Sequence, residues 1–310
     1  MDYQAFVEEQ VASIRKTVGR ELAINALSGG VDSSVVTVLG HRSLGKQLRT
    51  VFIDSNLMRK DEPERVVRLF AGMGIPVNLV NSRADFMNAL KGLTDPEEKR
   101  NAITRTFYAT VFGRLVREIG AKFLLHGTIL TDIEETVAGV KRQHNILSQI
   151  GIDPEKEYGY QVLEPLKTLR KDGVREVARV LRLPGEVTER IPFPGPALAT
   201  RIVGEVTGER LATVREATAI VEEELGDTGA FQYLAVLLND RATGIHEGKR
   251  EFGQIIVVRC LHSVDARTAT PVELPWKKLH RICDRITSLK DVNRCVYDLT
   301  PKPPATIEYI

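Results

Sequence analysis

Residues 21–39 read as a strand, a tight turn and the opening of a helix. Glu21-Leu22-Ala23-Ile24-Asn25-Ala26-Leu27 is a short apolar run of strand length, and Val35-Val36-Thr37-Val38-Leu39 continues helically toward Gly40. Between them stands Ser28-Gly29-Gly30-Val31-Asp32-Ser33-Ser34. Adjacent glycines let the backbone bend sharply and approach a ligand closely, while the serine hydroxyls and the unpaired N–H groups of a first helical turn converge on one concavity. A concavity lined in this way suits an anion such as phosphate. No Gly-Lys-Ser or Gly-Lys-Thr closes the turn, so a nucleotide held here would be neutralised by backbone donors, hydroxyls and a metal, with Asp32 the nearest carboxylate. Gly-Gly beside serines is also a common turn that binds nothing.

The pattern repeats along the chain. An amphipathic helix over residues 2–18 has Phe6, Val7, Val11, Ile14 and Val18 near one face. Leu48-Arg49-Thr50-Val51-Phe52-Ile53-Asp54 reads as a second strand ending in an acid, 62–73 as a helix, 76–80 as a strand, and 95–119 as a long helix opened by Asp95-Pro96-Glu97-Glu98. Ala121–His126 is the next strand, and Gly127-Thr128 to Asp132 follow at its carboxyl end. Strands alternating with helices imply a parallel sheet, whose ligands gather at the carboxyl ends of the strands. Residues 132–152 mix acids, bases and His144-Asn145 without periodicity, as either an active-site lid or a solvated excursion does.

A helix runs through Val174, Val177, Ala178 and Leu181, and Ile191-Pro192-Phe193-Pro194-Gly195-Pro196 then interrupts any regular element. The expectation is an α/β domain over 1–197 and a smaller α+β domain over 198–310. Strands are expected in the latter at 201–206, 231–238, 254–261, 293–298 and 305–309, and helices at 208–225 and 276–288. A module of that kind with no obvious site of its own often pairs subunits.

Composition excludes several classes. A net charge of +2 over 310 residues gives no reason to expect nucleic acid. Cys260, Cys283 and Cys295 lie far apart with no Cys-x-x-Cys, so neither a disulfide framework nor a zinc knuckle is indicated. Met1-Asp2-Tyr3-Gln4-Ala5 has no signal-peptide character and no apolar run reaches membrane-spanning length, which fits a cytoplasmic chain without a membrane partner.

Ser-Gly-Gly-Val-Asp-Ser-Ser resembles the pyrophosphate loop of the N-type ATP pyrophosphatases, an adenine nucleotide α-hydrolase-like superfamily that cuts ATP between the α and β phosphates and adenylylates a substrate. Further motifs narrow the resemblance to the GMP synthetase family, in order over essentially the whole chain. These are His126-Gly127-Thr128, Val140–Asn145, Leu163–Lys167, Pro192–Pro196 and the terminal Lys302-Pro303-Pro304-Ala305-Thr306-Ile307-Glu308. No cysteine lies in a Gly-x-Cys-x-Gly nucleophile turn, so the chain is similar to the separate ATP-pyrophosphatase subunit of the two-subunit form. The resemblance implies XMP and ATP as substrates, magnesium, a glutamine amidotransferase partner that supplies ammonia, and a homodimer. Another adenylylating ligase such as NAD synthetase, or a nucleotide-binding regulatory protein without catalysis, remains open.

Carried over residue by residue, the resemblance implies that Ser28, Gly29, Gly30, Val31, Asp32, Ser33 and Ser34 hold the phosphates, with Asp32 on the metal. Phe52, Asp54, Leu57 and Gly127 border the adenosine. In the lid, Asp132, Glu135, Lys141, His144 and Asn145 close over the reacting groups, although His144 also reads as a structural histidine. Arg59, Pro194, Gly195, Lys302, Ile307 and Glu308 contact XMP. The sequence departs from the family at Gln143, where many members have histidine, at Val137, where some have lysine, and at Ala197, where glycine is usual.

Overall fold

A computed structural model describes residues 1–137, 159–264 and 266–310. They divide into two compact units. One comprises Met1–Ser55, Pro63–Asp85 and Thr104–Arg190, the other Asn56–Glu62, Phe86–Ile103 and Ile191–Ile310. The second unit thus takes two early segments of the chain as well as everything after Arg190, whereas the sequence reading expects a single boundary after residue 197.

The first unit is built on a parallel sheet of β1 (Ala23–Ala26), β2 (Leu48–Asp54), β3 (Val77–Asn81), β4 (Phe123–Leu125) and β5 (Gln161–Leu163), in the order β3-β2-β1-β4-β5. Ala23, Ile24, Val51 and Phe52 are buried on both faces of the sheet, which is why these strands read as continuous apolar runs. Helix α1 (Tyr3–Val18) opens on Asp2, whose carboxylate accepts the N–H groups of Gln4 and Ala5. It packs against α2 (Val31–Leu44) and against the helix Lys171–Val180, which also touches α2. The strand order grows from β1 toward β3 on one side and through β4 to β5 on the other. The switch point therefore falls between β1 and β4, where an open α/β sheet leaves a crevice.

The helix expected over 95–119 is three pieces: Pro96–Arg105, a π-helical stretch Thr106–Phe112, and Gly113–Ile119. Apolar spacing conceals the insertion, since a wider turn displaces the face by only part of a residue.

The second unit carries a long hairpin of β6 (Gln232–His246) and β7 (Lys249–His262), with β8 (Thr270–Pro271) antiparallel and β9 (Val292–Tyr297) parallel to β7. The helix Gly208–Leu225 packs on β6, and the helix Trp276–Thr287 packs on β9 and on the first helix. Two expected strands are absent. Residues 201–206 make only a single bridge, Ile202 to Leu237, and no strand, because side chains take up most of their carbonyls. The Lys99 ammonium donates to Ala199 O, Ile202 O and Gly204 O at 3.2, 2.7 and 3.2 Å, and Arg210 donates to Val203 O and Glu205 O at 2.8 and 2.7 Å. Residues 305–309 follow two prolines that have no N–H for a ladder, and Thr306 O is taken by Arg259 Nη2 at 2.8 Å. Among the described residues no helix is long and apolar enough to cross a membrane.

Candidate active site

The glycine turn sits at the switch point. Gly29 has φ of +78°, a conformation that a side chain would strain, and α2 then starts with the Ser34 N–H bonded to Gly30 O at 3.0 Å. Ser33 fastens the turn from inside. Its hydroxyl donates to Gly30 O at 3.0 Å and accepts the Ser28 N–H at 3.2 Å, with Ser28 Oγ 2.9 Å away. The helix end stays open to an anion, and the preceding strand anchors it. Asn25 donates from Nδ2 to Thr37 Oγ1 at 2.6 Å and accepts from Thr50 Oγ1 at 2.8 Å, while Thr37 donates to Ser33 O at 2.7 Å. Gly127, beyond β4, approaches so closely that a Cβ there would lie 3.4 Å from Asp32 and from Ser33 N.

A pocket of about 230 Å³ opens at this place, lined by Ser28, Gly30, Asp32, Ser33 and Gly127 of the expected ATP residues. Phe107, Tyr108 and Phe112, from the π-helical stretch, form an aromatic wall that the sequence reading missed. Burial pushes the Tyr108 phenol up to about 12. His126 lines the same pocket. Its Nδ1 lies 2.8 Å from Thr128 Oγ1, which donates to Glu164 Oε1 at 2.6 Å. Burial lowers the imidazole pKa, against the opposing pull of Glu164 and Asp132.

Two cations that sequence reasoning passed over meet the turn. Lys171 Nζ lies 2.6 Å from Asp32 Oδ2, and Arg190 Nη1 donates to Gly29 O at 2.8 Å. Lys171 is the first residue of its helix, where the dipole disfavours a cation. That misplacement was the available signal. The other oxygen of Asp32, Oδ1, is buried and has no partner among the described residues. An orphaned carboxylate oxygen beside an anion site fits one bond to a divalent cation. Among the described residues no cluster of three or more His, Cys, Asp or Glu could hold a metal by itself.

Phe52 and Asp54 lie on β2 and do not line the pocket. Asp54 is buried and pairs with Arg83 Nε at 2.7 Å. Leu57 is buried in the second unit. Asp132 Oδ2 accepts the Ile129 N–H at 3.1 Å and starts the helix Leu130–Val137, on which Glu135 falls. Lys141, His144 and Asn145, like Gln143, lie outside the described residues.

The expected XMP residues all belong to the second unit. Arg59 is buried, pairs with Glu222 Oε1 at 2.5 Å, and places its guanidinium carbon 3.9 Å from the centre of the Phe193 ring. The buried Arg201, not foreseen from sequence, lies 4.8 Å from the same ring and bonds both oxygens of Glu308, at 3.3 and 3.2 Å. Gln232 Nε2 also donates to Glu308. Arg59 Nη1 and Arg201 Nη1 are buried without a partner among the described residues. Arg59, Phe193, Arg201 and Glu308 therefore form one cluster beside Pro194, while a Cβ at Gly195 would meet nothing within 4 Å. Lys302 Nζ instead donates to Ala266 O at 2.7 Å, and Ile307 is half-buried.

Residues 219–309 match the family described as GMP synthase C terminal domain, and residues 15–129 match the asparagine synthase family. The chain is 49% identical over 310 residues to a glutamine-hydrolyzing GMP synthase subunit of Archaeoglobus fulgidus, covering 100% of both chains. It is 47% identical over 313 residues to the same-named protein of Pyrococcus horikoshii, again covering 100% of both. An NH3-dependent NAD synthetase structure from Campylobacter jejuni is similar at a TM-score of 0.49 and 16% identity, covering 74% of this chain and 88% of that one. By its full-length similarity to the Archaeoglobus and Pyrococcus proteins, the chain belongs to their family of glutamine-hydrolyzing GMP synthase subunits.

Proposed function

We propose that the chain converts XMP to GMP, using ATP and ammonia and releasing AMP and pyrophosphate, with the ammonia delivered by a separate glutaminase. The observation that carries this reading is the anion-binding turn at the β1/β4 switch point, in a chain whose full-length relatives are named as subunits of glutamine-hydrolyzing GMP synthase. The C2 oxygen of XMP is a poor leaving group. Its attack on the α-phosphorus of ATP makes it part of AMP, which departs when ammonia adds. The protein's contribution is to position the two nucleotides and to stabilise charge.

In this reading the backbone and hydroxyls of Ser28–Ser34 hold the β and γ phosphates, and Lys171 offsets charge on the departing pyrophosphate. Magnesium, held by Asp32 Oδ1, would supply further neutralisation of the phosphates. Asp132, Glu135, Lys141, His144 and Asn145 are the proposed lid residues. Arg59, Pro194, Gly195, Lys302, Ile307 and Glu308 are assigned to XMP, and Arg201 joins them through its bonds to Glu308. Residues 198–310 are also proposed to pair two copies. Ile245 and Phe252, exposed on the β6–β7 hairpin, support that role.

The test is purified protein with ATP, magnesium, XMP and an ammonium salt. The expected result is GMP, AMP and pyrophosphate in equal amounts, with glutamine unable to replace ammonium unless a glutaminase is added. Folded protein that forms no GMP, or that yields ADP and orthophosphate, contradicts the proposal.

A further inference from the structure

We infer that His126 selects the base of the nucleoside triphosphate by presenting an unprotonated Nε2 to the 6-amino group of adenine. The inference rests on the reading of ATP as the substrate of this pocket. The direction of a hydrogen-bond chain carries it. A carboxylate accepts and cannot donate, so Thr128 Oγ1 must give its proton to Glu164 Oε1, 2.6 Å away. Having spent its only proton, Thr128 Oγ1 can only accept from His126 Nδ1, at 2.8 Å. That contact places the imidazole proton on Nδ1 and leaves a lone pair on Nε2. Thr128 is 2% exposed, so water does not compete for this arrangement.

Nε2 has no partner among the described residues, and the ring lines the same pocket as Ser28, Asp32 and Ser33. Phosphate oxygens only accept hydrogen bonds and cannot satisfy a lone pair. Within a nucleoside triphosphate the donors are the ribose hydroxyls and the amino group of the base. The flat rings of Phe107 and Tyr108 on the same wall favour the base. A 6-amino purine offers Nε2 a proton, whereas a 6-oxo purine sets a carbonyl oxygen against it and leaves the acceptor unpaired. Sites built around one such bond reject the analogue that lacks it.

Inosine triphosphate differs from ATP only at this edge, and equilibrium binding by calorimetry in magnesium buffer measures selectivity without turnover. A failure to form GMP is therefore a separate result from a failure of base selection. The intact protein is expected to bind ATP at least tenfold more tightly than inosine triphosphate. Thr128→Val, which breaks the chain without changing side-chain size, should reduce that ratio below threefold. Glu164→Gln should do the same, because an amide can donate to Thr128, which then donates to Nδ1 and moves the ring proton to Nε2. His126→Gln offers both an acceptor and a donor, so it can pair with either base edge and should also reduce the ratio. A ratio below tenfold in the intact protein overturns the inference. So does a ratio unchanged in both Thr128→Val and Glu164→Gln while their circular dichroism and melting match the parent.

Discussion

Replacing Lys171 with Met separates stability from catalysis at the phosphate turn. The ammonium lies 2.6 Å from Asp32 Oδ2, yet the two side chains remain 45% and 29% exposed. A pair this open to water contributes about 1 kcal/mol to folding, so the melting temperature of a 310-residue chain should fall by only about 1–2 °C. The kinetic effect is larger. If the ammonium offsets charge as pyrophosphate leaves, its removal costs about 3 kcal/mol of transition-state stabilisation, a loss of about two powers of ten in kcat. Pyrophosphate release would be followed at saturating XMP and ammonium with ATP varied. The expected outcome is a kcat reduced roughly a hundredfold with the KM for XMP little changed, and Lys171→Arg recovering part of the rate. A kcat within threefold of the parent would show that Lys171 serves only to hold Asp32, and the reasoning would fail.

Lys99→Met should destabilise the protein by about 3 kcal/mol in urea unfolding. Three buried carbonyls lose their donor at about 1–3 kcal/mol each, offset by the burial cost that lowers the ammonium pKa from 10.5 to about 8. Between about pH 8 and 10.5 the unfolded chain binds the extra proton, so the contribution of Lys99 rises with pH. The gap between parent and variant should therefore widen across that window, and a constant gap would refute the assignment. Burial raises the pKa of Glu224, but hydrogen bonds from Arg285 and Arg281 outweigh it and hold the carboxyl below its ordinary value. That contribution is present above the ordinary carboxylate range and lost as pH falls through the lowered value. Glu224→Gln should lower the melting temperature by about 2–4 °C near neutrality and by less at pH 3, and calorimetry at both pH values checks it.

The parallel sheet was legible because β1 and β2 are buried on both faces and bounded by clear turn signals. The phosphate turn was legible because its chemistry is local, carried by neighbours such as Ser28 and Ser33. The strand expected over 201–206 is absent because Lys99, about a hundred positions earlier, and Arg210, just beyond the segment, take its carbonyls, and neither leaves a mark in the apolar pattern of the segment itself. The aromatic wall was hidden by a π-helical insertion that apolar periodicity does not register. Arg201 escaped notice because its value lies in its partner, Glu308, over a hundred positions away.

The interleaved second unit has a consequence for assembly and for evolution. Asn56–Glu62 and Phe86–Ile103 are synthesised long before Ile191–Ile310, to which they belong. A ribosome therefore releases those segments, with Arg59 and Lys99 among them, well before their tertiary partners exist. The carboxyl-terminal third cannot be swapped between enzymes as a cassette, because a graft cut near residue 197 would leave behind the ammonium that secures its first loop.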